Sequence, residues 1–229
     1  MTTLKQAQED AGKISEGNTK MPGSTFAISA KHCNVGSKLV DVEGSVCHRC
    51  YALKLQKLRP SVNKGWVNNY TKATTMISVN PDKWVDACVF QINRISNKTG
   101  EAYHRWFDSG DLQSVEMLAA ICKVAVKTPN IKHWLPTREA KIVKDYLKTG
   151  NSFPDNLVVR VSSTMIGDPP INGHAHTSTV HRKGATPHGH SCPASSERHR
   201  AMREDRAANC GDCRACWDKS VPNVSYPLH

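Results

Sequence analysis

The stretch CGDCRACW at residues 210–217 organises the sequence around three cysteines spaced i, i+3 and i+6, and Cys192, followed by proline, lies upstream. Three thiolates at this spacing, completed by a remote cysteine before a proline, are typical of a [4Fe–4S] cluster. Zinc with four sulfurs usually takes them from two separated C-x2-C hairpins. We therefore predict that Cys192, Cys210, Cys213 and Cys216 bind a [4Fe–4S] cluster, with zinc as the alternative.

A second cysteine group, Cys33, Cys47 and Cys50, follows the first predicted strand. Three cysteines in this loop of a βα barrel are the arrangement by which radical S-adenosylmethionine enzymes hold a [4Fe–4S] cluster. Their usual spacing is C-x3-C-x2-C, so the first gap here is longer than usual. The alternatives are a small zinc site completed by His32 or His48, or one metal centre that combines both groups.

Hydrophobic residues make up 38% of the 229 residues, and the mean hydropathy is −0.50. We find no apolar run of membrane-spanning length and no secretory h-region, and we expect a cytoplasmic protein without a membrane segment. In a reducing compartment, nine cysteines indicate metal ligands and core thiols rather than disulfides.

The formal net charge of +11 suits nucleic acid, anionic cofactors or phosphorylated substrates as partners. Aromatic residues amount to 6% and do not alternate with basic residues, so the sequence does not indicate a stacking platform for single strands.

Strand and helix patterns alternate through the middle of the chain. We predict strands at 24–30, 102–107, 131–135 and 157–162, and helices at 53–58, 66–76, 84–95, 115–127 and 139–147. Repeats of this kind indicate parallel βα units. Cys88 and Cys122 fall at apolar helical spacing, which predicts two core thiols.

We therefore predict an α/β fold, a partial (βα) barrel of the radical-SAM-like type with a cysteine-rich, mostly irregular C-terminal extension. Residues 1–20 would form a flexible arm, 21–166 the barrel core and 167–229 a His/Cys-rich metal-binding extension. The five histidines between His174 and His190 favour a solvated loop over a metal site. The basic residues of 195–208 predict a helical connector.

Loops at the carboxyl ends of parallel strands build the sites of such folds. Asp108, Ser109 and Asp111 follow the second predicted strand, and Arg138 follows the third. The carboxylates could bind ammonium or ribose groups of a cofactor, and the arginine could clamp a carboxylate or phosphate. Alternatively, these residues form an ordinary turn and only stabilise the opening that these loops surround, which we call the mouth. Tyr51, directly after the last cysteine of its group, is expected to pack beside the cofactor.

Four motifs occur in order: CHRCYA at 47–52, FDSGDL at 107–112, LPTRE at 135–139, and the terminal cysteine stretch followed by YPLH at 226–229. Together they resemble the gene product 88 proteins of bacteriophages, which are themselves remotely similar to radical SAM barrels. The resemblance spans residues 25–229. It implies a phage origin, expression in the cytoplasm of an infected host cell and Fe–S binding, but no particular reaction.

We therefore expect a phage-encoded [4Fe–4S] protein that acts as a radical-SAM-like or other redox enzyme. A cluster at the Cys33 group would deliver an electron to S-adenosylmethionine or to another small-molecule or macromolecular substrate. The alternative is a non-catalytic protein, stabilised by zinc or a cluster, that binds nucleic acid or a host protein.

Overall fold

The computed structural model describes residues 2–17, 20–195 and 209–228. Seven helices occur in these ranges: α1 Leu4–Ala11, α2 Asn34–Leu39, α3 Tyr51–Leu58, α4 Pro60–Val79, α5 Pro81–Thr99, α6 Val115–Lys127 and α7 Ala140–Lys148. Seven strands accompany them: β1 Ser24–Phe26, β2 Tyr103–Trp106, β3 Lys132–Thr137, β4 Leu157–Ser162, β5 Thr177–His181, β6 His190–Ser191 and β7 Asn223–Pro227.

The strands form one parallel sheet in the order β1-β2-β3-β4-β5-β7-β6. Its longest pairings join β3 to β4, for example Leu135 opposite Val159, and β5 to β7. Strands β1 and β6 are the two edges, so the sheet is open. The protein therefore has an α/β fold built on a seven-stranded parallel sheet.

Each face of the sheet has its own apolar cluster, because successive side chains point to opposite faces. Trp106, Leu135 and Val159 belong to the main core, which α4, α5, α6 and α7 cover. Tyr103 and Trp134 belong to a second cluster on the other face, which C-terminal residues cover. The C-terminal stretch thus packs on the sheet opposite the helices.

Helix boundaries follow local capping chemistry. The Ser114 hydroxyl accepts from the N–H of Met117 at 3.2 Å at the start of α6. The Asn80 carboxamide oxygen accepts from the N–H of Lys83 at 3.1 Å, directly before the proline that begins α5. These caps satisfy N–H groups that have no partner within the helix.

The N-terminal arm predicted for residues 1–20 is replaced in part by α1, which packs against α4 and α5. Ala7 and Ala11 are fully buried. The Gln91 carboxamide donates to the carbonyls of Ala7 and Gly12 and accepts from the N–H of Ile14. Small residues allow a close approach to α5, and one buried glutamine satisfies the backbone that follows the helix.

The C-terminal extension is less irregular than predicted, because residues 167–229 supply strands β5, β6 and β7 of the sheet. Strands β5 and β7 bury polar side chains that bond to one another. The Thr177 hydroxyl donates to Asn223 at 2.8 Å, and the Asn223 amide donates to the Thr179 hydroxyl at 3.1 Å. The connector predicted for 195–208 lies outside the described residues, apart from Ser195 at the end of a 3₁₀ turn.

None of the helices in the described part of the chain is long and apolar enough to cross a membrane.

Candidate metal centres

The first cysteine group lies between β1 and α3, after the carboxyl end of β1. Cys33 is the N-cap residue of α2 and Cys50 that of α3. Gly36 in α2 leaves room for the thiols, because a Cβ there would lie 3.1 Å from Cys33 Cβ and 3.5 Å from Cys47 Sγ. The fold therefore brings this predicted group together.

The electrostatics of this group oppose free thiolates. Burial is the largest cause that raises the pKa of the Cys33 thiol to about 12. The neighbouring Asp111, Cys47 and Cys50 act in the same direction, whereas Arg138 lowers this pKa. Burial also raises the pKa of Cys47, and Arg138 again opposes it. Thiolates here need further positive charge, which a bound metal supplies.

Asp111 joins the ends of β2 and β3. Its Oδ1 accepts from the Thr137 hydroxyl at 2.6 Å and from the N–H of Leu112 at 2.7 Å, and its Oδ2 accepts from the N–H of Arg138 at 2.9 Å. Asp111 is 4% exposed, and burial raises its pKa although these hydrogen bonds oppose the shift. It therefore braces the mouth from inside.

Asp108 and Ser109 present polar atoms without protein partners at the same mouth. Oδ1 of Asp108, Oγ of Ser109 and Nε of Arg138 are buried and have no hydrogen-bond partner among the described residues. Phe107, directly before them, has a φ of 53°, which is strained for a residue other than glycine. Unpartnered buried polar atoms beside a strained backbone are typical of a ligand-binding site.

Tyr51 stands at the rim of this mouth. Its hydroxyl donates to the backbone carbonyl of Asp108, while the residue is 63% exposed. The two histidines considered as zinc ligands have other contacts. The His32 ring stacks on Tyr70 with 3.8 Å between centroids, and His48 Nδ1 lies 3.2 Å from the backbone carbonyl of the residue that follows α2.

The second cysteine group is built on β6, β7 and the terminal stretch. The N–H of Cys192 donates to the carbonyl of Ser225 in β7 at 2.9 Å, and the N–H of Cys213 donates to the carbonyl of Cys210 at 3.0 Å. Cys192, Cys213 and Cys216 all pack in the second apolar cluster. Residues distant in the sequence thus lie near one another, since, in addition to burial, Cys210 and Cys213 raise the pKa of Cys192, and Cys192 raises that of Cys216.

Two further side chains contact these thiols. His190 Nε2 lies 3.4 Å from Cys213 Sγ, and the Tyr226 hydroxyl lies 3.2 Å from Cys216 Sγ. Neither residue was among the predicted ligands, although His190 belongs to the predicted histidine-rich loop.

Arg160 in β4 holds the terminal stretch in place through hydrogen bonds. It is 0% exposed, and in the described residues no carboxylate lies within 4.0 Å of it. Its guanidinium donates at 2.8–3.4 Å to six backbone carbonyls, those of Thr177, Ala215, Cys216, Asp218, Val221 and Pro222. A buried cation satisfied by carbonyl dipoles holds the backbone around Cys216 in place.

The second group also combines buried thiols with arginines. Burial raises the pKa of Cys210, and Arg214 and Arg105 lower it. Burial raises the pKa of Cys216 to about 12, and Arg160 lowers it. Both pKa shifts are upward on balance, because burial outweighs the charge of the arginines, so a bound cation would favour the thiolate form of these cysteines.

Trp217 anchors the stretch on the sheet. Its indole N–H donates to the carbonyl of His104 at 3.0 Å. Its ring meets those of Tyr103 and Trp134 edge-on at 5.3 and 5.2 Å. The residue that ends the cysteine stretch therefore sets its position over β2 and β3.

Arg105 lies between the two cysteine groups. Its guanidinium is 4.7 Å from the centre of the Trp134 ring, and its Nη1 is 3.5 Å from Met21 Sδ. Burial raises the pKa of Asp108 at the mouth and that of Cys210 in the second group, and the charge of Arg105 opposes both shifts. Among the described residues its buried Nε has no partner.

The five histidines of the predicted loop do not share one site. His176 contacts the carbonyl of Lys219, His181 the hydroxyl of Ser225, and His188 the carbonyl of Gly167. The predicted solvated loop is wrong in part, because His181 is buried in β5 and His190 lies in β6 beside Cys213.

The division of the cysteines into core thiols and metal ligands is confirmed for the core set. Cys88 is 0% and Cys122 5% exposed, and both belong to the main core. Within the three described ranges, no three Cys, His, Asp or Glu side chains are close enough together to hold a metal ion. In that part of the chain, each cysteine group is a set of neighbouring thiols rather than a closed ligand shell.

Sequence reasoning missed Arg105, Arg160 and Tyr226 as parts of the site. The available signal was Arg160, a lone charged residue in the otherwise apolar strand LVVRVS at 157–162. A cation in a buried strand must have polar partners, so its position indicates a covering segment.

Comparison with known proteins agrees with the resemblance of the motifs. The family model described as Gene product 88 matches residues 2–219. No curated protein and no solved structure matches the chain. Since the match covers nearly the whole sequence, the chain belongs to the Gene product 88 family of bacteriophage proteins.

Proposed function

We propose that the protein is an iron–sulfur protein in which Cys192, Cys210, Cys213 and Cys216 hold a [4Fe–4S] cluster. The observation that carries this proposal is the proximity of a C-x2-C-x2-C run to a remote cysteine before a proline. Cys192, Cys213 and Cys216 contact one apolar cluster, and Cys210 is near enough to add to the rise that burial causes in the pKa of Cys192. A bound cluster supplies one-electron transfer.

The donor set and its surroundings fit such a group. Thiolates bound to iron carry negative charge, and Arg105, Arg160 and Arg214 lie around the second group. Arg160 and Trp217 hold the terminal stretch from two sides, through backbone carbonyls and through β2. The pocket therefore combines thiols, positive charge and a rigid frame.

We further propose a radical-SAM-like organisation, in which the sheet corresponds to a partial barrel and the Cys33, Cys47 and Cys50 group holds a second cluster. Two observations support it: the strands are parallel, and this group follows β1. In this proposal the unpartnered atoms of Asp108, Ser109 and Arg138 bind S-adenosylmethionine or another substrate. Asp111 and Tyr51 would hold the loop that presents these atoms.

A zinc site is the second candidate, and the contact between Cys213 and His190 favours it. Zinc accepts mixed sulfur and nitrogen ligands, and His190 would join the cysteines of the second group. In that case the metal would stabilise the fold without redox chemistry.

Anaerobic purification distinguishes the two candidates. A brown protein whose visible absorbance is bleached by dithionite supports a cluster, whereas a colourless protein with stoichiometric zinc supports the structural site. Cys213→Ala should remove the metal from the second group, and Cys88→Ala, in the core, should retain it. Loss of metal in Cys88→Ala would overturn the assignment of core and ligand thiols.

The enzymatic part of the proposal needs a separate test. Reduced protein is incubated with S-adenosylmethionine, and 5′-deoxyadenosine is measured by chromatography. Formation of this product that is lost in Cys50→Ala supports the radical-SAM-like reading. A brown, reducible protein that forms none would leave an electron-transfer role.

A further inference from the structure

The segment around the first cysteine group carries a concentrated, unneutralised positive charge. Residues 31–64 contain seven Lys and Arg against two Asp and Glu, a net charge of +5 out of +11 for the chain. All seven basic side chains are exposed, and none lies within 4.0 Å of a carboxylate in the described ranges. Some lysines elsewhere are paired, as in Lys123 with Asp82 and Lys127 with Asp86.

An exposed aromatic ring lies within this basic segment. Tyr51 is 63% exposed, and the bond from its hydroxyl to the carbonyl of Asp108 restrains the ring. Lys54 and Leu58 follow at helical spacing on the same face of α3, and Leu58 is also 63% exposed. A restrained, solvent-facing ring beside a cation is a surface on which a nucleobase can stack.

A groove adjoins the same cysteine group. It is an open cavity of about 390 Å³, lined in part by Lys31, Lys38, Cys33 and the stacked pair His32 and Tyr70. Two lysines at its rim would contact phosphate groups of a chain that lies in it. The amino-acid composition did not indicate a stacking platform, because a single exposed ring hardly changes the overall aromatic content.

We propose that the surface of residues 31–64, with Lys31 and Lys38 at the groove and Tyr51 and Lys54 on α3, binds single-stranded nucleic acid. Phosphates would contact the lysines and a base would stack on the tyrosine ring. Single strands are favoured over duplexes because only an unpaired base exposes its face to the ring. The proposal does not depend on whether a metal occupies either cysteine group.

Fluorescence anisotropy with labelled oligo-dT and oligo-U, on the full chain purified anaerobically, tests the proposal. Lys31→Glu/Lys38→Glu should weaken binding by about tenfold or more. The slope of log affinity against log salt should become shallower by about 0.7 for each phosphate that is no longer neutralised. Lys5→Glu/Lys144→Glu makes the same change in net charge at exposed positions of α1 and α7 and should leave the affinity within about twofold. Equal weakening in both variants would reduce the effect to net charge and overturn the proposal.

The tyrosine is tested with a matched pair of variants. Tyr51→Ala should weaken binding about fivefold or more, and Tyr51→Phe, which keeps the ring, should retain most of the affinity. Iron content and thermal midpoint, measured on the same samples, separate loss of binding from loss of metal or fold. Unlabelled polyglutamate is also tested as a competitor of the labelled oligonucleotide. If it displaces the oligonucleotide as effectively as unlabelled oligo-dT does, the surface binds an acidic protein instead. Absence of binding to both oligonucleotides would also overturn the proposal.

Discussion

The guanidinium of Arg160 donates to the backbone carbonyl of Cys216 at 3.1 Å, although the two residues are 56 positions apart in the chain. This contact joins the centre of the sheet to the cysteine stretch. It couples the stability of the fold to the geometry of the proposed cluster site.

Replacing Arg160 by methionine should leave six backbone carbonyls without this donor. Among them, the carbonyls of Thr177, Ala215 and Cys216 are buried. We expect the free energy of unfolding to fall by at least about 3 kcal/mol and residues 209–228 to become sensitive to protease. Urea unfolding measures the first effect, and limited proteolysis with mass spectrometry measures the second. Arg94→Met, at an exposed position of α5, is the control. Similar loss of stability in both variants would contradict a special role for Arg160.

Gly110 should be sterically required at the mouth, and Gly150 provides a matched control. Both have positive φ, at 80° and 81°. A Cβ at Gly110 would lie 2.3 Å from Ile28 Cγ1, whereas a Cβ at Gly150 meets nothing within 4 Å. We expect Gly150→Ala to cost about 1 kcal/mol from backbone strain, and Gly110→Ala about 1–3 kcal/mol more from the clash. Equal costs in urea unfolding would rule out the close approach to Ile28.

Stability should fall at acidic pH because of a buried histidine. His133 is 0% exposed, its Nε2 lies 2.8 Å from the Thr128 hydroxyl, and burial lowers its pKa to about 3. The pKa of histidine in an unfolded chain is about 6.5, so below that pH the unfolded state binds more protons than the folded state. The free energy of unfolding should therefore decrease as the pH falls below about 6.5, with a slope that approaches about 1.4 kcal/mol per pH unit for this group.

Comparison of wild type with His133→Gln between pH 7.5 and 4.5, a range of about three pH units around this titration, isolates the effect. The subtraction removes contributions from carboxylates that both proteins share. We expect the stability advantage of the wild type to shrink as the pH falls. Parallel curves would show that His133 is protonated in the folded protein.

Gly36 should be needed for the first cysteine group alone. A Cβ here would lie 3.1 Å from Cys33 Cβ, so Gly36→Ala should displace the Cys33 side chain by a few tenths of an ångström. We expect the variant to lose the metal of this group and retain that of the second. Gly65→Ala, in α4 with nothing within 4 Å of the added Cβ, should keep all metal and gain about 0.5–1 kcal/mol of stability. Full metal content in Gly36→Ala would remove the first group from the proposal.

Local patterns predicted the existence of α3 to α7 but not that of α1 or α2. Helix α6 has the predicted start because Ser114 is a strong cap, and β4 has the predicted bounds because its apolar residues form one nearly continuous run. The predicted convergence of strand ends at the mouth is also seen, since Asp111 bonds to Thr137 across two loops.

The remaining strands were not predictable from alternation, because their buried side chains are polar. Thr177, Thr179 and Asn223 satisfy one another across β5 and β7, so burial leaves no apolar pattern. The frame around the second cysteine group depends in the same way on long-range contacts. The carbonyl partners of Arg160 in the terminal stretch are far from it in the sequence, and no local signal identifies them.

Iron and acid-labile sulfide, determined per chain on protein purified without oxygen, test the central claim most directly. We predict about four irons and four sulfides for each occupied cysteine group. We also predict that Cys213→Ala loses the set of the second group while Cys122→Ala loses none. Protein that contains neither iron nor sulfide would contradict the claim. Iron content that stays at the wild-type level in both single variants, Cys213→Ala and Cys192→Ala, would also contradict it.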